Sequence, residues 1–222
     1  MEIKIENLTF SYSYQKILEN CTYKFETGKI IVLLGRNGAG KSTLFDLLTD
    51  NLKADFGEII HFAHHSYGYM SDDFFYYRHF SLKKMAELIK VLREINDTDF
   101  KTSYSKYLLA LGLEEYENKH ISELSAGTKQ RVHLFLTLLN EPNELYLDEP
   151  TNALDPEQIY QFKRIIKDLK SENRIILIST HSLELAATLG DELVVLANKK
   201  LYPLQITENL EEEYLTLQKM KS

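Results

Sequence analysis

Apolar positions between Ile3 and Leu34 fall into three strand-like groups. Ile3 and Ile5 alternate with charged residues and lead on to Leu8 and Phe10, Ile17 to Phe25 form a second group, and Ile30-Ile31-Val32-Leu33-Leu34 is uninterrupted. Alternation predicts half-buried strands, whereas a short β-branched run ending in glycine predicts a strand buried on both faces. A helix is expected to begin at Lys41, and two further strands, Glu58 to Phe62 and Ser66 to Met70, follow a loop around Gly57. The first lobe thus mixes an antiparallel layer with parallel core strands.

The period then changes. Leu82, Met85, Leu88, Ile89 and Leu92 recur at helical spacing, and Tyr104, Leu108 and Leu111 line a second such face, so a helical insertion occupies Ser81 to Leu113. A long helix follows Ser125. After it come the strand Leu145-Tyr146-Leu147, a helix with Ile159, Phe162, Ile165, Ile166 and Leu169 on one face, and the buried strand Ile175 to Ile178. Strand and helix alternate, as in a parallel sheet. Pro156 suits a first helical turn, where its missing N–H breaks no bond.

Composition bounds this picture. With 222 residues and 44% hydrophobic content the chain can bury one large domain or two small lobes, but not two independent catalytic units. No apolar run approaches the roughly 18 to 20 residues that cross a bilayer, and Met1 to Glu6 alternates like a strand rather than a signal peptide. A cytosolic location is therefore expected. One cysteine, Cys21, excludes an internal disulfide. The net charge of −7, with Lys and Arg scattered, argues against a nucleic-acid partner. His61, His64 and His65 lack neighbouring Cys or acidic ligands and are expected as exposed hairpin histidines, without a structural metal.

Candidate chemistry begins at Gly35-Arg36-Asn37-Gly38-Ala39-Gly40-Lys41-Ser42-Thr43, which matches G-x-x-x-x-G-K-[ST] between a buried strand and a helix. Gly35, Gly38 and Gly40 let the backbone curl with its N–H groups inward, Asn37 and Ala39 complete the curl, and the helix N-terminus adds a positive dipole end. Lys41 is expected on the β- and γ-phosphates of ATP, Ser42 on Mg²⁺ and Thr43 near the α-phosphate. Leu145-Tyr146-Leu147-Asp148-Glu149 supplies the acidic partner: Asp148 for Mg²⁺, and Glu149 as general base on the attacking water.

Leu124-Ser125-Ala126-Gly127-Thr128-Lys129-Gln130-Arg131 narrows the class, because it resembles the LSGGQ signature of ABC (ATP-binding cassette) ATPases. The resemblance implies an α/β fold of the P-loop NTPase type: a RecA-like parallel core sheet, an N-terminal antiparallel β layer and an inserted α-helical subdomain. It implies one domain over 1–222, with 1–70 and 140–222 as catalytic core and 71–139 as helical subdomain. It also implies that Ser125 and Gly127 bind the γ-phosphate of ATP held by an opposite protomer, and that Tyr12 stacks on adenine. His181, in Ser179-Thr180-His181-Ser182, is similar to the family's switch histidine, and Asn152-Ala153-Leu154-Asp155 to its D-loop.

Two positions depart from the family pattern. Asp72 stands where a glutamine near Mg²⁺ is usual, and its shorter, charged side chain predicts a working but modified site. Ala126 replaces a glycine and is tolerable if its φ is negative.

The expected function is that of the ATP-hydrolysing subunit of a transporter. It would dimerise head-to-tail with a second copy or a paralogous cassette and drive separate permease subunits from the inner face of the membrane. Phe74, Phe75, Tyr76, Tyr77 and Phe80 are candidates to receive a helix of that partner. The tail from Asn209 to Leu217 resembles the short terminal helix of exporter cassettes and favours export. A soluble ABC-type ATPase on chromosomes or ribosomes is the alternative. A GTP switch is disfavoured because Asn198-Lys199-Lys200-Leu201 lacks the aspartate of a guanine-reading motif.

Overall fold

In the computed structural model, which describes residues 2–71, 79–152 and 154–219, strand β1 (Glu2–Tyr12) turns the alternation of its sequence into alternating burial. Ile3, Ile5, Leu8 and Phe10 face the core. β1 pairs antiparallel with β2 (Gln15–Glu26) and with β4 (Phe56–Ile60), giving a three-stranded layer in the order β2-β1-β4. Its register slips at several points, with Asn7 and Asn20 in the left-handed region, and the displaced N–H groups donate to Thr22 and Thr9 hydroxyls at 3.1 and 3.0 Å. Beside the slip in β1 stands Gly57, where a Cβ would meet the carbonyl oxygens of Glu6 and Asn7 at 2.4 Å. That close approach lets the pairing continue across the slip to Thr9 and Phe56, so β4 (Phe56–Ile60) begins before the expected Glu58, and it ends before the expected Phe62. A glycine read as a loop marker is a bulge partner inside the strand.

The second sheet runs β5-β6-β7-β3-β8-β9, formed by β3 (Ile30–Leu34), β5 (Tyr67–Met70), β6 (Glu144–Asp148), β7 (Ile175–Thr180), β8 (Glu192–Ala197) and β9 (Lys200–Leu204). β3 pairs parallel with β7 and β8, and β6 parallel with β7. As the unbroken apolar runs predict, every residue of β3, β6 and β7 is buried. β8 turns antiparallel into β9 through Asn198 and Lys199, both at positive φ, as a two-residue hairpin requires. Helix α1 (Lys41–Leu48) contributes Leu44, Phe45, Leu47 and Leu48 to one core shared with both sheets. α6 (Leu183–Leu189) contacts β3 and β7. α7 (Leu210–Lys219) lies on β8 and β9 with Leu210 and Tyr214 buried, so the terminal helix docks on its own domain.

By contact the chain divides into two compact units: Met1–Tyr69 with Asn143–Glu149 and Lys170–Ser222, and Met70–Pro142 with Pro150–Leu169. The second holds α2 (Leu82–Leu92), α3 (Asp97–Ala110), α4 (Ala126–Leu138) and α5 (Pro156–Leu169). Ser81, Asn96 and Ser125 cap the first three by accepting first-turn N–H groups. α5 groups with these helices, although the sequence-based division at 140 assigns it to the sheet; Gln158 of α5 lies against Gly127 of α4.

Within α4, His133 is buried, and burial pushes its pKa from 6.5 down to about 3. The folded chain keeps this ring neutral while the unfolded chain protonates it below pH 6.5. Between pH 6.5 and 3 the unfolded state therefore binds more protons, and stability falls with pH by up to about 1.4 kcal/mol per unit. Denaturant titrations at pH 6.5 and 5 are expected to show a shallower acid-side loss in His133→Gln than in the unmodified chain.

Candidate functional site

Strand register assembles the site. Leu34 of β3 lies opposite Thr180 of β7, and Ser179 of β7 lies opposite Asp148 of β6. The segments after β3, β7 and β6 therefore leave the sheet side by side at the carboxyl ends of parallel strands, where open α/β sheets bind ligands.

After β3 comes the glycine loop. A Cβ at Gly35 would lie 3.1 Å from the Leu196 carbonyl oxygen, and one at Gly40, whose φ is +105°, would lie 2.6 Å from Ile17. Gly35 thus lets the backbone of β8 come close, and Gly40 combines a left-handed dihedral with the approach of the Ile17 side chain. Gly38, at φ +78°, needs glycine for its dihedral alone, since a Cβ there meets nothing within 4 Å. Asn37 is exposed in the turn, and Ala39 N–H donates to the Arg36 carbonyl at 3.1 Å. α1 opens at Lys41, followed by an exposed Ser42 and a buried Thr43. First-turn N–H groups have no partner inside their own helix, so this end presents donors and a positive dipole to an anion.

Lys41 is buried and donates to the Gly35 carbonyl at 2.9 Å, with its ammonium 3.0 Å from Glu149 Oε1. Glu149 Oε2 lies 3.1 Å from His181 Nδ1, and the His181 side chain is 56% exposed. Glu149 itself is at φ +46°, a conformation a glutamate rarely adopts. Its N–H is held by both the Ser179 hydroxyl at 3.0 Å and the Ser179 carbonyl at 3.2 Å. Ser179 Oγ also donates to Asp148. One serine thus positions both carboxylates. Asp46 of α1 adds to the negative charge here: burial pushes its pKa up, Asp148 pushes it further, and a hydrogen bond from Asn51 opposes them.

These features fit a phosphate ester with a divalent cation. Lys41 and the helix end offer positive charge to an anion, Asp46, Asp148 and Glu149 favour a cation, and the buried Glu149 Oε1 is held by the Lys41 ammonium through charge alone, with no hydrogen bond among the described residues. Asp148 and Ser42 offer the oxygen ligands that Mg²⁺ takes.

Tyr12, 47% exposed at the end of β1, meets Phe10 edge-to-face at 4.9 Å. In the second unit Ser125 caps α4, accepting from Thr128 N–H at 3.2 Å. Ala126 is helical, which meets the condition for its extra methyl. Gly127 is buried, and a Cβ there would lie 2.5 Å from Gln158 Oε1. Gln158 also closes a reciprocal cap with Asp155: Gln158 N–H donates to Asp155 Oδ1 at 2.9 Å, and Asp155 N–H to Gln158 Oε1 at 3.2 Å. Gln130 donates to the Pro150 carbonyl at 3.0 Å. Asp72, the aromatic residues 74–77 and Ala153 lie outside the described residues.

A family model described as ABC transporter matches residues 18–152, which take in the glycine loop, Ser125 to Arg131, Asp148 and Glu149. The chain belongs to the ABC transporter family. A lantibiotic transport ATP-binding protein, SrtF of Streptococcus pyogenes, is 32% identical over 196 residues, 85% of this chain and 84% of the relative. The tungstate uptake system ATP-binding protein TupC of Peptoclostridium acidaminophilum is 32% identical over 203 residues, 88% of this chain and 94% of the relative. Among solved structures, the ATP binding subunit of an ABC transporter superposes with a TM-score of 0.84 at 24% identity, covering 100% of this chain and 96% of that one. The dimeric bacterial cassette MJ0796 does so with a TM-score of 0.81 at 20% identity, covering 92% and 99%. These two likenesses establish the P-loop cassette fold. ABC cassettes hydrolyse ATP to power transport, and the chain is an ATPase of that family. The chromosomal or ribosomal alternative is not favoured.

Sequence reasoning missed Ser179, Asp46 and Gln158. Ser179 was within sight, two residues before His181, but its role follows from its register with Asp148.

Proposed function

We propose that this ABC ATP-binding subunit closes head-to-tail on two ATP molecules with a second copy or a paralogous cassette, and that the motion drives separate permease subunits. The observation that carries the proposal is the chain of contacts from Lys41 to Glu149 to His181 beside Asp148. Lys41 binds the β- and γ-phosphates, and Glu149 takes a proton from the water whose oxygen attacks the γ-phosphorus as the bond to the β–γ bridging oxygen breaks. His181 contacts the γ-phosphate and Tyr12 stacks on adenine, while the backbone from Gly35 to Thr43 cradles the phosphates. Ser42 and Asp148, with Asp72, would hold Mg²⁺, which when bound neutralises charge on the phosphates. Ser125 and Gly127 address the γ-phosphate of the opposite protomer's ATP.

Cassettes of this family dimerise and pair with transmembrane subunits. No described helix of this chain is long and apolar enough to cross a membrane, which supports a peripheral place on the inner face through such a partner. Export is the proposed direction, supported by the short α7 after β9. Capture of the tagged chain from detergent-solubilised membranes with ATP and Mg²⁺ tests the reading. A polytopic membrane protein in stoichiometric amount is expected; ribosomal or chromosomal proteins in its place would overturn it.

A further inference from the structure

Away from the nucleotide site, the sequence-based expectation of exposed histidines without an acidic ligand needs correction. His61 follows β4 and its side chain is only 11% exposed. Its Nδ1 lies 3.0 Å from both carboxylate oxygens of Glu144, the fully buried first residue of β6. His65 Nδ1 lies 3.7 Å from Glu144 Oε2, and the two imidazoles stack with centroids 4.3 Å apart. The acid is invisible to local spacing because it lies 83 residues after His61.

The connection between β4 and β5 is built to bring these groups together. His64 takes a φ of +60°, which turns the chain so that His61 and His65 face the same carboxylate. Asn143 pins the turn from behind, accepting from Ser66 N–H at 2.7 Å and donating to the His64 carbonyl at 3.1 Å, and Glu144 N–H donates to the Ser66 carbonyl at 3.0 Å. The Tyr146 hydroxyl donates to Glu144 Oε2 at 2.7 Å, fixing the carboxylate in the way that outer hydrogen bonds orient metal ligands.

From this geometry we infer a binding site for a zinc-like transition-metal dication on His61 Nδ1, His65 Nδ1 and Glu144. One potential ligand atom from each of the three residues lies within 4.8 Å of the other two. At 3.7 Å His65 Nδ1 is too far from the carboxylate to hydrogen-bond it, so its approach to Glu144 is not explained by that contact. Two imidazoles and a carboxylate suit Zn²⁺, Co²⁺ or Ni²⁺ and not Mg²⁺ or Ca²⁺, which prefer all-oxygen shells. Three protein ligands leave a fourth position for water. The near-parallel rings, 15° apart, must splay to direct both lone pairs at one ion, and His65, with its side chain 36% exposed, is the ring that would turn. The ion would clasp the turn to the start of β6, the strand whose other end is Asp148.

The test uses the full chain, stripped with a chelator and titrated with Zn²⁺ in competition with a chromophoric chelator, and with Co²⁺ followed by visible absorption. One saturable equivalent is expected, with a rise in Tm on adding Zn²⁺. His65→Ala, at an exposed position that spares the fold, should weaken binding more than about 10-fold and abolish the Tm rise, and Tyr146→Phe should weaken it about 10-fold or more. Undiminished binding in His65→Ala, binding lost instead in His181→Ala, or no saturable binding in the unmodified chain would each overturn the site.

Discussion

Replacing Glu149 by glutamine is expected to slow ATP hydrolysis by at least about 100-fold while ATP still binds, so that with Mg²⁺ and ATP the variant collects as a dimer on a sizing column. The amide nearly matches the carboxylate in size, so contacts with His181 and the backbone tie to Ser179 can persist. What disappears is the negative charge and the ability to take a proton from water. Lys41 loses a counter-charge 3.0 Å away and becomes more available to phosphate. Turnover at the unmodified rate would remove Glu149 from the role of base.

Lys41→Met is expected to fail twice, once in chemistry and once in folding. Without the ammonium the phosphates lose the positive charge that Lys41 brings to them, and hydrolysis should drop by about 100-fold or more. Glu149, buried and with no hydrogen bond to Oε1 among the described residues, is left without its charge partner. Stranding a buried charge costs about 3–5 kcal/mol, less here to the extent that water reaches the site. Denaturant titration without nucleotide should show that loss in Lys41→Met and recovery of most of it in Lys41→Met/Glu149→Gln, while activity stays absent in both. A double variant no more stable than the single one would show that the pair does not carry the energy.

Much of this was legible because it is local. The buried strands β3, β6 and β7 read as unbroken apolar runs, and the glycine loop sits directly between a strand and a helix, so its identity needs no knowledge of register. The rest depends on chain segments far apart. Ser179 acquires its role from standing opposite Asp148, and Gln158 from packing on Gly127, neither of which has a signal at the residue itself. Gly57 hides the start of β4 because a glycine inside a bulged pair looks the same, in sequence, as a glycine in a loop. His61 and His65 were misjudged for the same reason, since their acid arrives from β6.

The left-handed backbone at Glu149 bears on how such a cassette can change over evolutionary time. Glycine adopts that conformation without the cost of about 1–2 kcal/mol that an L side chain incurs. A change from glutamate to glycine needs a single base substitution, and it would leave Lys41 still bonded to the Gly35 carbonyl. Against that gain stands the buried Lys41 ammonium, which would lose its counter-charge 3.0 Å away at a cost on the scale of about 3–5 kcal/mol, so selection for a well-folded chain alone keeps the carboxylate. A lineage that no longer needs hydrolysis from this subunit reaches a silent cassette more readily through glutamine than through glycine, because the amide keeps a polar partner beside the Lys41 ammonium.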